Sequence, residues 1–176
     1  MDSQSHYFDE DPKSLSKRLT VDLVLPDLTT TLVTDKGIFS PKRIDPGTKY
    51  LLQYAPSPDM PVKNALDLGC GYGPIARTLA HRFPKSQIWA TDINSRARLL
   101  TQENTGHLGV NVEHPNRVDE RIRFDLIWSN PPIHIGKSRL YSMLNMWLQR
   151  LSKNGEAILV IQKHLGAESL HKWLEK

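Results

Sequence analysis

Two rhythms of apolar residues run along the chain, and the change between them falls near Val62. Before it, Leu19, Val21 and the β-branched run over 29–33 flank Pro26-Asp27, a spacing that predicts two strands joined by a tight turn. The segment GIFSPKRIDPGTKYLLQYA then turns helical near Thr48, which suits a cap ahead of the apolar face carrying Leu51 and Leu52. After Val62, short apolar runs alternate with amphipathic stretches. Strands are predicted at 65–68, 87–91, 110–113, 124–129 and 156–162, and helices at 74–83, 95–104, 140–151 and 167–175.

Strands that alternate with helices imply a Rossmann-like α/β fold: a doubly wound, mainly parallel sheet with helices on both faces and an N-terminal β-hairpin extension. Ligands in such sheets sit at the carboxyl ends of the strands, where the strand order reverses. The chain divides accordingly into a polar arm over 1–17, a hairpin and helix extension over 18–61, and a cofactor-binding domain over 62–176.

Composition narrows the class. A chain of 176 residues, 39% hydrophobic and 24% charged, suits a soluble globular protein. It has no apolar run of about 18 residues, so no membrane contact is expected. The N-terminal MDSQSHYFDEDP is acidic and unlike a secretory signal, which makes the cytoplasm the expected location. The single cysteine, Cys70, leaves no internal disulfide and no multi-cysteine metal site, and no metal is expected. The net charge of +4 leans towards an anionic partner, although a solvated basic surface would account for it as well.

The chemistry concentrates in two motifs. DLGCGYG (67–73) joins a strand to a helix, so its glycines let a ligand approach the backbone at a helix N-terminus. Alone, this pattern is also an ordinary tight turn. Asp92, closing the second strand of the alternation, is placed to accept hydrogen bonds from the ribose of a nucleoside cofactor. Asp67, in the strand end before the loop, repels a pyrophosphate but attracts the ammonium of a methionine moiety. The G-x-G-x-G spacing also departs from the dinucleotide fingerprint, so S-adenosylmethionine is preferred over NAD.

The second motif is SNPPIHIGK (129–137). An exocyclic base amine is flat, with its lone pair delocalised into the ring. Accepting both its hydrogens favours a nitrogen becoming tetrahedral and positive. Asn130 offers a side-chain carbonyl, and the Pro131 backbone carbonyl is a second acceptor whose direction Pro131 and Pro132 restrict. Read without the glycine loop, the same tripeptide merely ends a strand.

With DLGCGYGPIA, Asp92 and SNPP together, the chain resembles class I S-adenosylmethionine-dependent methyltransferases. Within them it resembles the short single-domain form of the small-subunit ribosomal RNA guanine-N2 methyltransferase family. The likeness extends through HYFDEDP, GIFSPKRIDPGTKYLL and VIQKHLGAESL. It implies that Asp67, Gly69, Gly71 and Gly73 form the methionine side of the cofactor site, with Cys70 as a small residue packed there. Asp92, followed by Ile93, would take the ribose. Asn116 or Asp119 would lie near the adenine amine. Asn130, Pro131 and Pro132 would form the catalytic loop, while Phe39, Ser40, Asp45 and Thr48 would close over cofactor or target. The implied partner is ribosomal RNA or the small ribosomal subunit.

There are departures. Many N-methyltransferases carry an aromatic residue after the second proline to stack on a flipped-out base, and Ile133 stands there. Phe39 could supply that grip, with Ile133 and His134 beside the substrate. Lys137 and Arg139, with Lys42 and Arg43, could form a basic rim for phosphate. The resemblance also calls for a sixth and a seventh strand, which the pattern after Gln162 lacks. An exposed edge at the fifth strand would then need a cover, and a homodimer through that edge is one. Two other functions remain open. A glutamine amide also presents an NH2 to Asn-Pro-Pro, as in protein-glutamine methyltransferases, and a module binding cofactor or RNA without catalysis would share the loop.

Overall fold

The computed structural model describes residues 15–162 and 166–175. Most of the expected polar arm over 1–17 lies outside the described residues.

Strands β1 (Arg18–Val24) and β2 (Thr29–Asp35) form an antiparallel hairpin in which Val21 pairs with Leu32. Its turn closes where Leu25 N–H donates to Leu28 O at 2.8 Å, around Pro26-Asp27. Period-two alternation buries Val21 and Leu23 on one strand and Leu32 and Thr34 on the other. Helix α1 (Pro46–Tyr54) follows. Its cap is Asp45 rather than Thr48: Asp45 Oδ2 accepts the Thr48 N–H at 3.1 Å, and Pro46, which has no N–H to satisfy, starts the helix.

The alternating part comprises β3 (Asn64–Leu68), α2 (Pro74–Arg82), β4 (Gln87–Thr91), α3 (Ser95–Thr105), β5 (Asn111–Glu113), β6 (Phe124–Ser129), α4 (Lys137–Leu148), β7 (Leu151–Leu159) and α5 (Ala167–Leu174). The sheet runs β5-β4-β3-β6-β7, and every pairing in it is parallel. The chain winds outward from β3 to β5, then returns to the other side of β3 as β6. The strand order therefore reverses between β3 and β6. One face buries Leu52, Ile75, Leu79, Leu100 and the hairpin's Leu23 and Leu32 in a single cluster. The other buries Leu66, Phe124, Ile127, Leu144, Trp147 and Leu170. Polar ties hold the hairpin to the first face. Asn104 exchanges two 2.8 Å hydrogen bonds with the Val33 backbone, and Arg82 makes a bidentate pair with Asp27.

Two expectations about the sheet are overturned. The chain does not lack a sixth and a seventh strand: counted with the hairpin it has seven, and β6 and β7, the strands expected at 124–129 and 156–162, pair with each other. The sequence count began at Val62 and so left the hairpin's two strands out. The sheet is also wholly, not mainly, parallel among the described residues. A third difference is local. The helix expected to run to Leu151 stops at Leu148, and β7 begins at Leu151 instead of Glu156. An irregularity in the β6–β7 register falls between Phe124 and Leu126. Opposite it, Asn154 (φ 68°) and Gly155 bend the strand, so its polar start reads as a loop in sequence.

Gly155 has no room for a side chain, since a Cβ there would lie 2.7 Å from the Phe124 carbonyl oxygen. Gly155→Ala is expected to destabilise the fold by roughly 1–3 kcal/mol, read as a shift in the urea midpoint at unchanged slope. Among the described residues, no helix is long and apolar enough to cross a membrane.

Candidate active site

A cavity of about 600 Å³ opens over the carboxyl ends of β3, β4 and β6, at the reversal of strand order. Three short segments supply its floor, each directed there by a strand that ends beneath it, and α4 and the N-terminal extension add walls.

The first is the glycine loop after β3. Gly69 and Cys70 N–H both donate to Thr91 O at 2.9 Å, which pins the loop to the end of β4. Gly69, Gly71 and Gly73 all take positive φ. The need is sharpest at Gly73 (φ 89°), where a Cβ would also meet Thr101 Cγ2 at 3.0 Å. Gly69 and Gly71 line the cavity. Gly73 does not; it starts α2, with Pro74 in the first turn. Cys70 is buried beneath the loop with Thr101 Oγ1 at 3.3 Å from its sulfur, and burial raises its thiol well above the ordinary value. That leaves it an inert packing residue.

The second segment follows β4. Asp92 Oδ2 accepts the Gly71 N–H at 3.0 Å and Oδ1 accepts the Asn94 N–H at 2.9 Å. Asp92 thus ties the glycine loop to the next turn while lining the cavity with Ile93 and Asn94. Burial raises its pKa, against the pull of those two N–H groups and Arg98. Beyond β5, Pro115 and Asn116 reach the same cavity. Asp119, the alternative to Asn116 beside the adenine, does not line the cavity; it pairs with Arg121 at 2.6 Å, which holds its carboxyl down at about 2.

Asp67 lies behind the loop, fully buried. Its Oδ2 accepts the Ala76 N–H at 2.9 Å, while Oδ1 is buried without a hydrogen bond among the described residues. Burial pushes its pKa up to about 8. Asp67 does not itself line the cavity, but an acidic side chain with an unfilled acceptor at the root of the glycine loop fits an ammonium group arriving above it. With Asp92 and the open cavity, the residues present fit S-adenosylmethionine.

The raised Asp67 pKa has a consequence for stability. The folded value, about 8, lies above the ordinary 3.8, so the native state holds more protons than the unfolded chain between those limits. Its contribution is complete below about pH 4 and is lost as pH rises towards 8. The ligand-free protein is therefore expected to lose stability across this window, and Asp67→Asn to flatten the slope in denaturant titrations at a series of pH values. An equal slope in both proteins would refute this.

The third segment is the Asn-Pro-Pro turn. Ser129 ends β6 with its hydroxyl on Leu68 O at 2.6 Å, and its carbonyl accepts the Val160 N–H at 3.0 Å. Pairing stops there, because the following prolines have no N–H to offer. Asn130, Pro131 and Pro132 all line the cavity. Asn130 Nδ2 donates to Asp45 Oδ2 at 2.8 Å and to Thr48 Oγ1 at 3.0 Å. Among the described residues nothing donates to its Oδ1 or to the Pro131 carbonyl.

The remaining expected residues divide. Phe39 (47% exposed), Ile133, His134 and Arg139 line the cavity. Ser40 does not; its hydroxyl donates to Arg43 O at 2.7 Å, from a backbone with φ 49°. Lys137 turns towards Ser169 at 3.3 Å, away from the cavity. Sequence reasoning missed the wall given by α4, where Ser138, Ser142 and Met146, with Met143, face the opening. Their i, i+4 spacing was the available signal, masked by the core pattern of Leu140, Leu144 and Trp147 on the same helix.

Comparison with known proteins bears on this geometry. The methyltransferase small domain family matches residues 29–176. An uncharacterized Bacillus subtilis protein, YbxB, is 35% identical, over 97% of this chain and 88% of its own length. The ribosomal RNA small subunit methyltransferase C of Pseudomonas entomophila is 32% identical, over 90% of this chain and 48% of its own length. The chain spans about half the length of that methyltransferase. Among solved structures, a T. thermophilus 16S rRNA N2 methyltransferase (RsmC) in complex with AdoMet and guanosine superposes with TM-score 0.67 at 22% identity, over 92% of this chain and 46% of its own. At that identity the likeness carries the fold. With the match covering most of its length, the chain belongs to the methyltransferase small domain family.

Proposed function

We propose that the protein is an S-adenosylmethionine-dependent N-methyltransferase acting on the exocyclic N2 amine of a guanine in small-subunit ribosomal RNA, in the cytoplasm. The carrying observation is that the Asn-Pro-Pro turn and the Asp92-edged glycine loop open on one cavity. The rRNA methyltransferase relatives supply the substrate class. The division into an extension over 18–61 and a cofactor-binding domain over 62–176 belongs to the same reading.

S-adenosylmethionine supplies an electrophilic methyl group when bound. Gly69 and Gly71 allow its close approach, Asp67 answers its ammonium group, Asp92 accepts from the ribose hydroxyls, and Ile93 and Asn116 flank the adenine. On the substrate side, Asn130 Oδ1 and the Pro131 carbonyl accept the two amine hydrogens. That draws the nitrogen out of conjugation and stabilises the positive charge it gains. Pro132 holds the second acceptor in place. Phe39 covers the base by stacking, in place of the aromatic residue that Ile133 replaces, and His134 and Arg139 stand at the mouth where the nucleic-acid backbone passes.

The test is methyl transfer from labelled S-adenosylmethionine to small-subunit rRNA and to assembled subunits, followed by nucleoside mass spectrometry. N2-methylguanosine is the expected product. Label appearing only on protein glutamine, or bound cofactor without transfer to either substrate, would overturn the proposal.

A further inference from the structure

The side-chain amide of Asn130 has two ends that differ chemically but hardly in shape. Methyl transfer as proposed above uses only one of them, the carbonyl. Rotating the amide by half a turn would present NH2 to an amine, donor against donor, and the acceptor would be lost. Something must therefore fix the orientation, and the strand end that carries Asn130 does not do so.

Two residues of the N-terminal extension are placed to do it. Asp45 is an acceptor only, and its Oδ2 takes an Nδ2 hydrogen at 2.8 Å; Thr48 Oγ1 stands 3.0 Å from the same nitrogen. Both Nδ2 hydrogens are thus engaged, and a flipped amide would press its oxygen against a carboxylate. The helix start fixes Asp45 in turn, since the same Oδ2 accepts the Thr48 N–H at 3.1 Å. Gly47 leaves the space, because a Cβ there would come within 3.0 Å of Asp45 Oδ2 and 3.7 Å of Asn130 Nδ2. A negative charge behind the amide nitrogen also enriches the carbonyl oxygen in electron density, which suits an acceptor facing a nitrogen that becomes cationic.

We infer that Asp45 and Thr48 are positioning residues that lock the Asn130 amide with its carbonyl towards the target amine, so that the cap of α1 is part of the methyl-transfer apparatus. The inference rests on the catalytic reading of Asn130 given above. The expected role of these two residues was to close over cofactor or target; Asp45 does line the cavity and Thr48 does not, and both also contact the Asn130 amide nitrogen.

Asp45→Ser is the informative variant, since serine keeps an N-cap oxygen for the Thr48 N–H but is one atom too short to hold Nδ2. Its melting temperature is expected to stay near that of the parent, its KM for S-adenosylmethionine to be unchanged, and its kcat to fall about 10- to 100-fold. Asp45→Asn, which can still accept from Nδ2 without the charge, should recover part of that loss. Because Asp45 acts through Asn130, the double variant Asp45→Ser/Asn130→Ala should be no slower than Asn130→Ala. A second readout needs no activity. The Asn130 side-chain amide, assigned in ¹H–¹⁵N spectra by its loss in Asn130→Ala, should be shifted downfield and slow to exchange, and should move to free-amide values in Asp45→Ser. A free-amide signal in the parent, parental kcat in Asp45→Ser, or losses that multiply in the double variant would overturn the inference. Full activity in Asn130→Ala would instead sink the catalytic reading, while the amide spectrum would still decide whether the lock exists.

Discussion

Asn130→Ala is expected to lower kcat for methyl transfer about 100- to 1,000-fold, the range for losing one preorganised partner of a developing charge. The affinity for S-adenosylmethionine should remain. The asymmetry follows from the architecture. Asn130 lies beyond the last pairing of β6, whereas the glycine loop is fastened to Thr91 O and to Asp92, with no atom of Asn130 involved. The fold should survive as well, because Ser129, one residue earlier, makes the contacts to Leu68 O and Val160 N–H that end the strand. The main local effect is to leave Asp45 and Thr48 without their partner at a half-buried position. Single-turnover transfer with saturating cofactor isolates the chemical step, and titration calorimetry checks binding. A variant that transfers at the parental rate would exclude Asn130 as an acceptor in the transition state.

How much of this was legible in sequence depended on how far each signal reaches along the chain. The glycine loop, Asp92 and Asn-Pro-Pro were legible because each is a local motif at a strand end, and a parallel sheet gathers strand ends in one place. Helix α2 was placed to within a residue by Pro74 and its apolar period. β7 was not, because Lys153-Asn154-Gly155 looks like a loop and only its pairing with β6 makes it a strand. The count of strands failed for a related reason: a hairpin set apart from the alternation was left out of it. In the site, the partition of Lys137 from Arg139 depended on which side of the first turn of α4 faces the opening, and a charge pattern does not carry that. The link from Asp45 to Asn130 spans 85 residues, and only the folded chain brings it together.

Asp92→Ala is expected to weaken S-adenosylmethionine binding on the order of 100- to 1,000-fold, the loss of two hydrogen bonds to a charged acceptor in a partly closed site. Each carboxylate oxygen already accepts one backbone N–H, from Gly71 to Oδ2 and from Asn94 to Oδ1. Each therefore keeps a lone pair, which the proposed function gives to a ribose hydroxyl, and the two backbone bonds fix where those lone pairs point. The same geometry makes Asp92→Asn a poor rescue, because its NH2 must oppose either the Gly71 or the Asn94 N–H. Isosteric replacement should thus bind nearly as weakly as alanine and should also cost stability, about 1–3 kcal/mol for the unmatched donors. The loop itself stays anchored in both variants, since Gly69 and Cys70 hold to the Thr91 carbonyl, a backbone group that neither substitution removes. Calorimetric titration with S-adenosylmethionine and with its demethylated product reads the affinity directly. The ligand-induced rise in melting temperature, which depends on ligand concentration relative to Kd, should vanish in parallel. Binding within a few-fold of the parent in Asp92→Ala would remove the ribose contact from the site, and parental affinity in Asp92→Asn would show that neither oxygen needs to be an acceptor on both sides.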